Sequence, residues 1–469
     1  MHAEHVPTRD EILRATNRPL PRALFVGALA LAAVGVLVFV IGAFSESGHD
    51  RVWQAFHVNW MFFATISQAA IIFVAVQRIT TARWSRPIVR LLEGYVAFLP
   101  IAFVLLIIDF LGAKHIYPWA SQQIVQPEKQ FYLQPAFVIV RDLVLFGIMS
   151  VLSAWYVYTS LRLDVGLVPE AGSAWARGLR ERMRRGFRDE RREIHSTHSL
   201  QGKLAVFMCL GFAYFYSVLA WDLSMSLDLH YTSTLYSWWW FMGAWLGALM
   251  SFSRSLDLHY TSTLYSWWWF MGAWLGALMS WSLLAMWWRR YLNAYDLIKE
   301  VKFHDLGKLC FAFTAFWGYF TFGQYLVNWY GNLGEETHWQ RLRLIQPYLP
   351  IGLSVVFLVF VIPFFGLVSR AAKVYLPTFI AFASASLIGF WLLRYLEVYP
   401  SIYGVTPTLP LGFWELGITL GFLGIWGASY AAFMNAFPRM RVTLMTSPFR
   451  DEVQIPVNPD TMEPLPAHE

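Results

Sequence analysis

The sequence predicts an all-α integral membrane protein of about ten transmembrane helices, with both termini on the cytoplasmic side. Three observations lead there. Apolar residues make up 57% of the chain and charged residues 14%, against about 25% charged in a soluble domain. Apolar runs long enough to cross a bilayer recur from one end of the chain to the other. The arginines and lysines gather in every second connection between those runs.

Crossing a hydrocarbon core of ~30 Å takes about 20 helical residues. Runs of that order lie at 23–44, 57–77, 92–112, 135–159, 203–222, 236–251 with its extension, 307–329, 347–368, 375–396 and 411–435. Lipid offers the backbone no hydrogen-bond partners, so each run is predicted as a helix. Residues 1–22 read as a polar cytoplasmic segment, because the run after them is longer than the apolar core of a cleavable signal. Residues 23–436 form the polytopic membrane domain, and 437–469 a Pro-rich cytoplasmic tail.

Orientation follows from the connections. Arg9, Arg14, Arg18 and Arg22 precede the first run, and Arg78, Arg83, Arg86 and Arg90 follow the second. The connection 161–202 carries a dense arginine series from Arg177 to Arg192. Arg289, Arg290, Lys299 and Lys302 follow the sixth run, Arg370 and Lys373 the eighth, Arg439 and Arg441 the tenth. The connections in between (46–55, 113–134, 331–340, 398–410) are poor in arginine and richer in Pro, Gly, Glu and His. The positive-inside rule places the basic set in the cytoplasm. The net charge of +6 therefore reports orientation, and nucleic acid is not expected as a partner. One feature disturbs the pattern: residues 226–251 recur unchanged at 255–280. If both copies crossed the membrane, every later basic connection would face outward. A single copy is therefore expected at the sixth position.

Ionisable residues inside a span cost at least ~2.5 kcal/mol each and are functional candidates by default. Asp109 falls near the outer end of the third helix, and Arg141 and Asp142 near the outer start of the fourth. Asp222, Asp228 and His230 lie where the fifth helix gives way to the sixth, and His57 at the start of the second. Gln324 and Asn328 sit in the outer half of the seventh, and Arg394 and Glu397 at the end of the ninth. All of these gather towards the outer leaflet, while Glu93, His304 and Asp305 mark cytoplasmic helix ends. Two readings stand side by side. One is a polar cavity in which carboxylates and imidazoles accept protons from a quinone headgroup or pass them on. The other is a set of buried ion pairs that holds helices together. Under the first, the proton-transfer candidates are Asp109, Arg141, Asp142, Asp222, Asp228, His230, Glu93, His304 and Asp305, and the quinone-site candidates are His57, Gln324, Asn328 and Arg394.

No redox centre of the chain's own is expected. Two facing pairs of histidines are needed for a dihaem bundle, and the apolar spans contain only His57. Cys209 and Cys310 lie in separate spans and lack the spacing of a cluster or zinc site. No metal site is expected either.

Several stretches resemble one family. The segment 304–341 (HDLGKLCFAFTAFWGYFTFGQYLVNWYGNLGEETHWQR), the WDLSMSLDLHYTSTLYSW stretch, IPFFGLVSRAAK and RPIVRLLEGY all resemble the ActF family. These are the smaller polysulfide-reductase-type (NrfD-like) membrane subunits of alternative complex III, a bacterial quinol:electron-acceptor oxidoreductase, and are called its quinone-binding subunit 2. The similarity spans roughly residues 20–445. Gly334 stands where the family has Pro, and His230–Tyr231 where it has His–Trp. Arg394 and Glu397 stand where a His/Asp pattern is common. The resemblance implies two four-helix bundles plus a peripheral helix pair, in the bacterial inner membrane. It implies menaquinol as the quinone met by the complex, with haem and iron–sulfur groups only on partner subunits. Those partners would be the sister NrfD-like subunit, an iron–sulfur subunit, multi-haem cytochrome c subunits and in some assemblies a terminal oxidase. The implied task is proton transfer or scaffolding during quinol oxidation. The rival expectations are a membrane anchor without chemistry, and the quinone-reactive subunit of a molybdopterin oxidoreductase.

Overall fold

The computed structural model describes residues 8–16, 18–46, 48–122, 127–228, 263–332 and 334–447. Among them the regular structure is entirely helical, and nine helices are long and apolar enough to cross a membrane. In chain order these are α1 (Arg22–Ala43), α2 (His49–Ile79), α3 (Val89–Leu111), α4 (Pro135–Leu167), α5 (Glu190–Leu227), α6 (Tyr265–Tyr291), α8 (Leu349–Gly366), α9 (Leu376–Tyr403) and α10 (Phe413–Ala436). Between α6 and α8 runs α7 (Glu300–Gly331), 32 residues long. It occupies the seventh expected span, but aromatic residues replace much of the aliphatic content, which leaves it less apolar than the rest. The ten-helix expectation holds in this form.

Helices α2–α5 pack on one another as one four-helix bundle, and α6–α9 as a second. The bundles meet along α2, which touches α6 and α9 and is buried along nearly its whole apolar stretch. Helices α1 and α10 form a separate pair against the flank of α2. That pair is held by small residues. A Cβ added to Gly35 would lie 2.2 Å from the Cα of Gly421, and one added to Gly424 would lie 2.5 Å from the carbonyl oxygen of Ala28. Such close backbone approach is what drives helix association where lipid removes the hydrophobic incentive.

The arginine-rich connections share one end of the molecule. Arg18 donates to the Tyr291 carbonyl at 2.7 Å, and Arg439 bonds the Arg18 carbonyl and lies 5.1 Å from the Trp288 ring. These contacts bring together the segment before α1, the end of α6 and the end of α10. Residues 437–447 fold back onto this basic end instead of joining the tail. There Thr443 donates to Asp164 through its backbone N–H (2.8 Å) and its hydroxyl (2.6 Å). Residues 448–469 lie outside the described residues. Of the duplicated segment, the second copy supplies the first half of α6. The first copy from residue 229 onward, and His230 with it, lies outside the described residues.

The glycine contacts predict an asymmetry between two positions. Gly421→Val forces α1 and α10 apart and lowers stability by about 1–3 kcal/mol or more, read as a drop in the thermal unfolding midpoint of the detergent-solubilised protein. Gly27→Ala, where an added Cβ meets no atom within 4 Å, leaves the midpoint unchanged.

Candidate functional site

The end of the bundles opposite the arginines carries a fully buried cluster of ionisable side chains. His57 does not start its helix as the sequence suggested. Helix α2 begins at His49, so His57 lies about 12 Å further along the axis at ~1.5 Å per residue. Its surroundings are fixed by indole bonds on either side: Trp60 donates to the Ala102 carbonyl of α3 at 2.8 Å, and Trp391 of α9 donates to Asn59 at 3.0 Å.

The ring of His57 bridges two elements. Nε2 lies 2.8 Å from the carbonyl oxygen of Leu223, and Nδ1 lies 2.9 Å from Oδ2 of Asp109. A carbonyl oxygen only accepts, so Nε2 carries a hydrogen and Nδ1 is the nitrogen turned to the carboxyl. Tyr117 donates its hydroxyl to the same Asp109 oxygen at 2.9 Å and sits 3.2 Å from Nδ1. His57 and Asp109 are both fully buried. An Nδ1–Oδ2 contact of this length between two acceptors needs a proton between them, so the pair holds one jointly. The other oxygen of Asp109 is buried without a hydrogen-bond partner among the described residues.

A second group adjoins the first. Arg141 places Nε 2.9 Å and its terminal nitrogen 2.7 Å from Oδ2 of Asp222, and its Nε 4.0 Å from Asp142. The rings of Tyr132 and Phe137 flank the guanidinium at 4.0 and 4.7 Å. Asp142 and Asp222 are wholly buried, and each feels the other directly. Among the described residues, neither oxygen of Asp142 meets a donor. Its close neighbour is the Asp222 carboxyl, and two buried carboxyls can share a hydrogen bond only through a proton. Electroneutrality of the buried set thus asks for two protons: three carboxyls face one guanidinium and one otherwise neutral imidazole. Outside the spans, burial and then the Asp109 charge hold the Tyr117 phenol well above its ordinary value, with Asp142 and Asp222 adding to the effect. Burial and Asp222 do the same for Tyr132 against the opposing pull of Arg141. Both phenols remain donors.

A third group lies on the other side of the α5 terminus. Glu397 receives Arg394 at 2.7 Å on each oxygen, Ser224 at 2.9 Å and the Trp269 indole at 3.0 Å. Above Tyr117 opens a cavity of about 240 Å³, lined among others by Lys114, His115, Asp228, His338 and Ser401. The cavity reaches the face of Tyr117, and the hydroxyl of that residue reaches the His57–Asp109 pair.

The sequence-derived candidates therefore divide. Asp109, Arg141, Asp142 and Asp222 come together, and His57 joins them. Asp228 lines the cavity. Arg394 is committed to Glu397, while Gln324 and Asn328 are buried on α7, where Gln340 donates to the Gln324 carbonyl at 3.3 Å. At the basic end, Glu93 is bound by Arg90, by Ser160 at 2.9 Å and by Arg441 at 3.7 Å, and Arg90 also binds Asp164. His304 is half-buried there, and Asp305 pairs with Lys308 at 2.8 Å near the surface. Tyr117, Tyr132, Ser224, Asp164 and the Arg51–Glu415 pair (2.8 Å) were not foreseen. The tyrosines sit in a connection without periodicity, and a serine at a helix end carries no signal of its own.

Fold and site together define a multi-pass, all-helical membrane protein with a buried protonatable cluster beneath a polar cavity. No family model matches the chain, and no curated protein matches its sequence.

The basic-end network predicts a large effect from a single residue. Arg90→Met leaves Glu93 and Asp164 buried without their shared guanidinium and costs about 3–5 kcal/mol, measured as thermal or denaturant stability. Lys308→Met, at the half-exposed Asp305 pair, changes stability by less than ~1 kcal/mol.

Proposed function

We propose that this chain is a proton-handling membrane subunit of a quinol-oxidising complex of the alternative complex III type, in a bacterial inner membrane. The observation that carries the reading is the Tyr117–His57–Asp109 group, sealed from solvent yet one hydroxyl away from a polar cavity. Oxidation of a quinol releases two protons, and the buried set calls for two to be neutral. The cavity opens at the end opposite the arginine-rich connections, which the charge rule assigns to the outer face. Release outward fits an assembly whose iron–sulfur and haem subunits lie on that face and take the electrons, while the sister NrfD-like subunit meets menaquinol. The segment 304–341 and the three shorter motifs support the family. At the opposite end, the compensated Arg90–Glu93–Asp164–Arg441 network favours outward release over a path across the whole membrane.

In this reading the Tyr117 hydroxyl turns its hydrogen from Asp109 to the cavity, gives it to cavity water, and takes the proton of the His57–Asp109 pair in its place. It never needs to ionise, which agrees with its raised value. The test uses the assembled complex, with subunit composition verified first. Asp109→Asn and Tyr117→Phe are expected to slow quinol turnover and the associated proton release at least tenfold, general acid–base steps contributing typically about 10²–10⁴-fold. Unchanged rates in both variants would leave the anchor role. Co-purification with a molybdenum enzyme, in place of an iron–sulfur subunit and a multi-haem cytochrome, would move the chain to the molybdopterin class.

A further inference from the structure

Beside the cavity, three side chains outside the proton cluster converge. His49 and Asp50 open α2, and His115 follows α3 in the short helix Ala113–Ile116. One ligand atom from each lies within 4.8 Å of the others. The two imidazole rings meet edge to face at 4.6 Å. His115 Nδ1 contacts Asp50 Oδ1 at 2.7 Å. We propose that His49, Asp50 and His115 form a binding site for a zinc-class divalent cation at the wall of the outer cavity.

The ring nitrogens argue for it. His49 Nδ1 lies 2.5 Å from the Ala43 carbonyl oxygen, which accepts its hydrogen and leaves the Nε2 lone pair free. A backbone carbonyl on the far nitrogen is the usual way a metal-binding imidazole is oriented. His115 is held from two sides. Its ring stacks on Trp53 at 6.2 Å and 9°, and Gln54 donates to its carbonyl at 3.2 Å. A cation would take the place of the proton between His115 Nδ1 and Asp50 Oδ1, so these two atoms and the Nε2 of His49 form the ligand set.

Two imidazoles and one carboxylate suit zinc and similar borderline cations, whereas calcium and magnesium prefer oxygen donors throughout. Metal–ligand distances of about 2.0–2.2 Å put the ligand atoms roughly 3.3 Å apart, so the His115–Asp50 contact opens slightly while His49 closes in. That adjustment is open to them, because the Asp50 side chain is 61% exposed and that of His115 33%. Three protein ligands leave a coordination position for water. His115 itself lines the cavity and stands two residues before Tyr117. A dication there would oppose the departure of a proton from the cluster, a consequence that rests on the proposed function, whereas binding does not.

The test is Zn²⁺ titration of the metal-stripped, full-length protein in detergent by calorimetry. One saturable site is expected. His49→Ala and His115→Ala should each weaken binding at least about tenfold, with the thermal midpoint in the absence of zinc unchanged. His304→Ala, at the opposite end, should bind like the parent. A zinc-edge absorption spectrum of the parent should show two nitrogen imidazole ligands and lose one in each variant. Absence of a stoichiometric site, or equal affinity in both histidine variants and the parent, would overturn the proposal. Zinc binding without any effect on proton release would retain the site and count against the outward-release reading alone.

Discussion

The turn at the end of α5 is the constraint on which the site depends. An α-helix leaves its last carbonyls without intrahelical partners, and inside a membrane protein each must be satisfied by protein. Here the Leu223 carbonyl takes the Nε2 hydrogen of His57, and the Asp222 carbonyl takes the hydroxyl of Ser226. The side chains of the same turn reach outward in different directions: Asp222 to Arg141 on α4, Ser224 to Glu397 on α9 and to Tyr265 on α6. Trp119, from the connection after α3, donates to Ser226 at 3.0 Å. One helix end thus ties the two bundles together and, through a single backbone carbonyl, fixes which nitrogen of His57 faces Asp109. The tautomer is a consequence of the fold.

The two ends of the protein solve the problem of buried charge differently. At the basic end Glu93 and Asp164 are met by Arg90 and Arg441, with Ser160 and Thr443 supplying further hydrogen bonds. Removing a partner there exposes the cost of burial, but the intact set has no need of protons. At the opposite end the carboxyls outnumber the guanidinium, and the imbalance is relieved through His57 and through carboxyl–carboxyl contact. The first arrangement is a clasp, and one of its strands is the returning segment 437–447. The second is built so that protons are structural components.

Much of this architecture was legible in the sequence. Span count, the alternation of basic connections and the gathering of Asp109, Arg141, Asp142 and Asp222 at the end opposite the basic connections follow from hydropathy and charge, because lipid enforces both. Three things were hidden. The extent of α2 was misjudged: residues 49–56 are polar enough to read as a connection, which put His57 at a helix start when it is deep inside. Arg394 and Glu397 are one turn apart on α9, yet only the structure shows that they satisfy each other. Tyr117 was invisible because its place beside Asp109 comes from where a non-periodic connection folds, and connections carry no pattern that fixes their path. The close approach of α1 and α10 had a sequence trace in Gly417, Gly421 and Gly424, but not the partner helix that would be chosen.

The remaining question is why a site that holds protons should be sealed by a phenol and not open to the cavity. A carboxyl exposed to 240 Å³ of polar space would exchange with water and lose its dependence on His57. Sealed beneath Tyr117, Asp109 receives two hydrogen bonds on one oxygen and none on the other. Its charge is thus tied to the imidazole through a single hydrogen bond. The phenol, whose own ionisation is held out of reach by burial and by that same carboxyl, can move protons only in exchange, one arriving as one leaves. In the proposed role such a gate passes protons without letting water reach the carboxyl, and the phenol itself stays neutral at every step. Sealing and conduction are then two properties of a single hydroxyl.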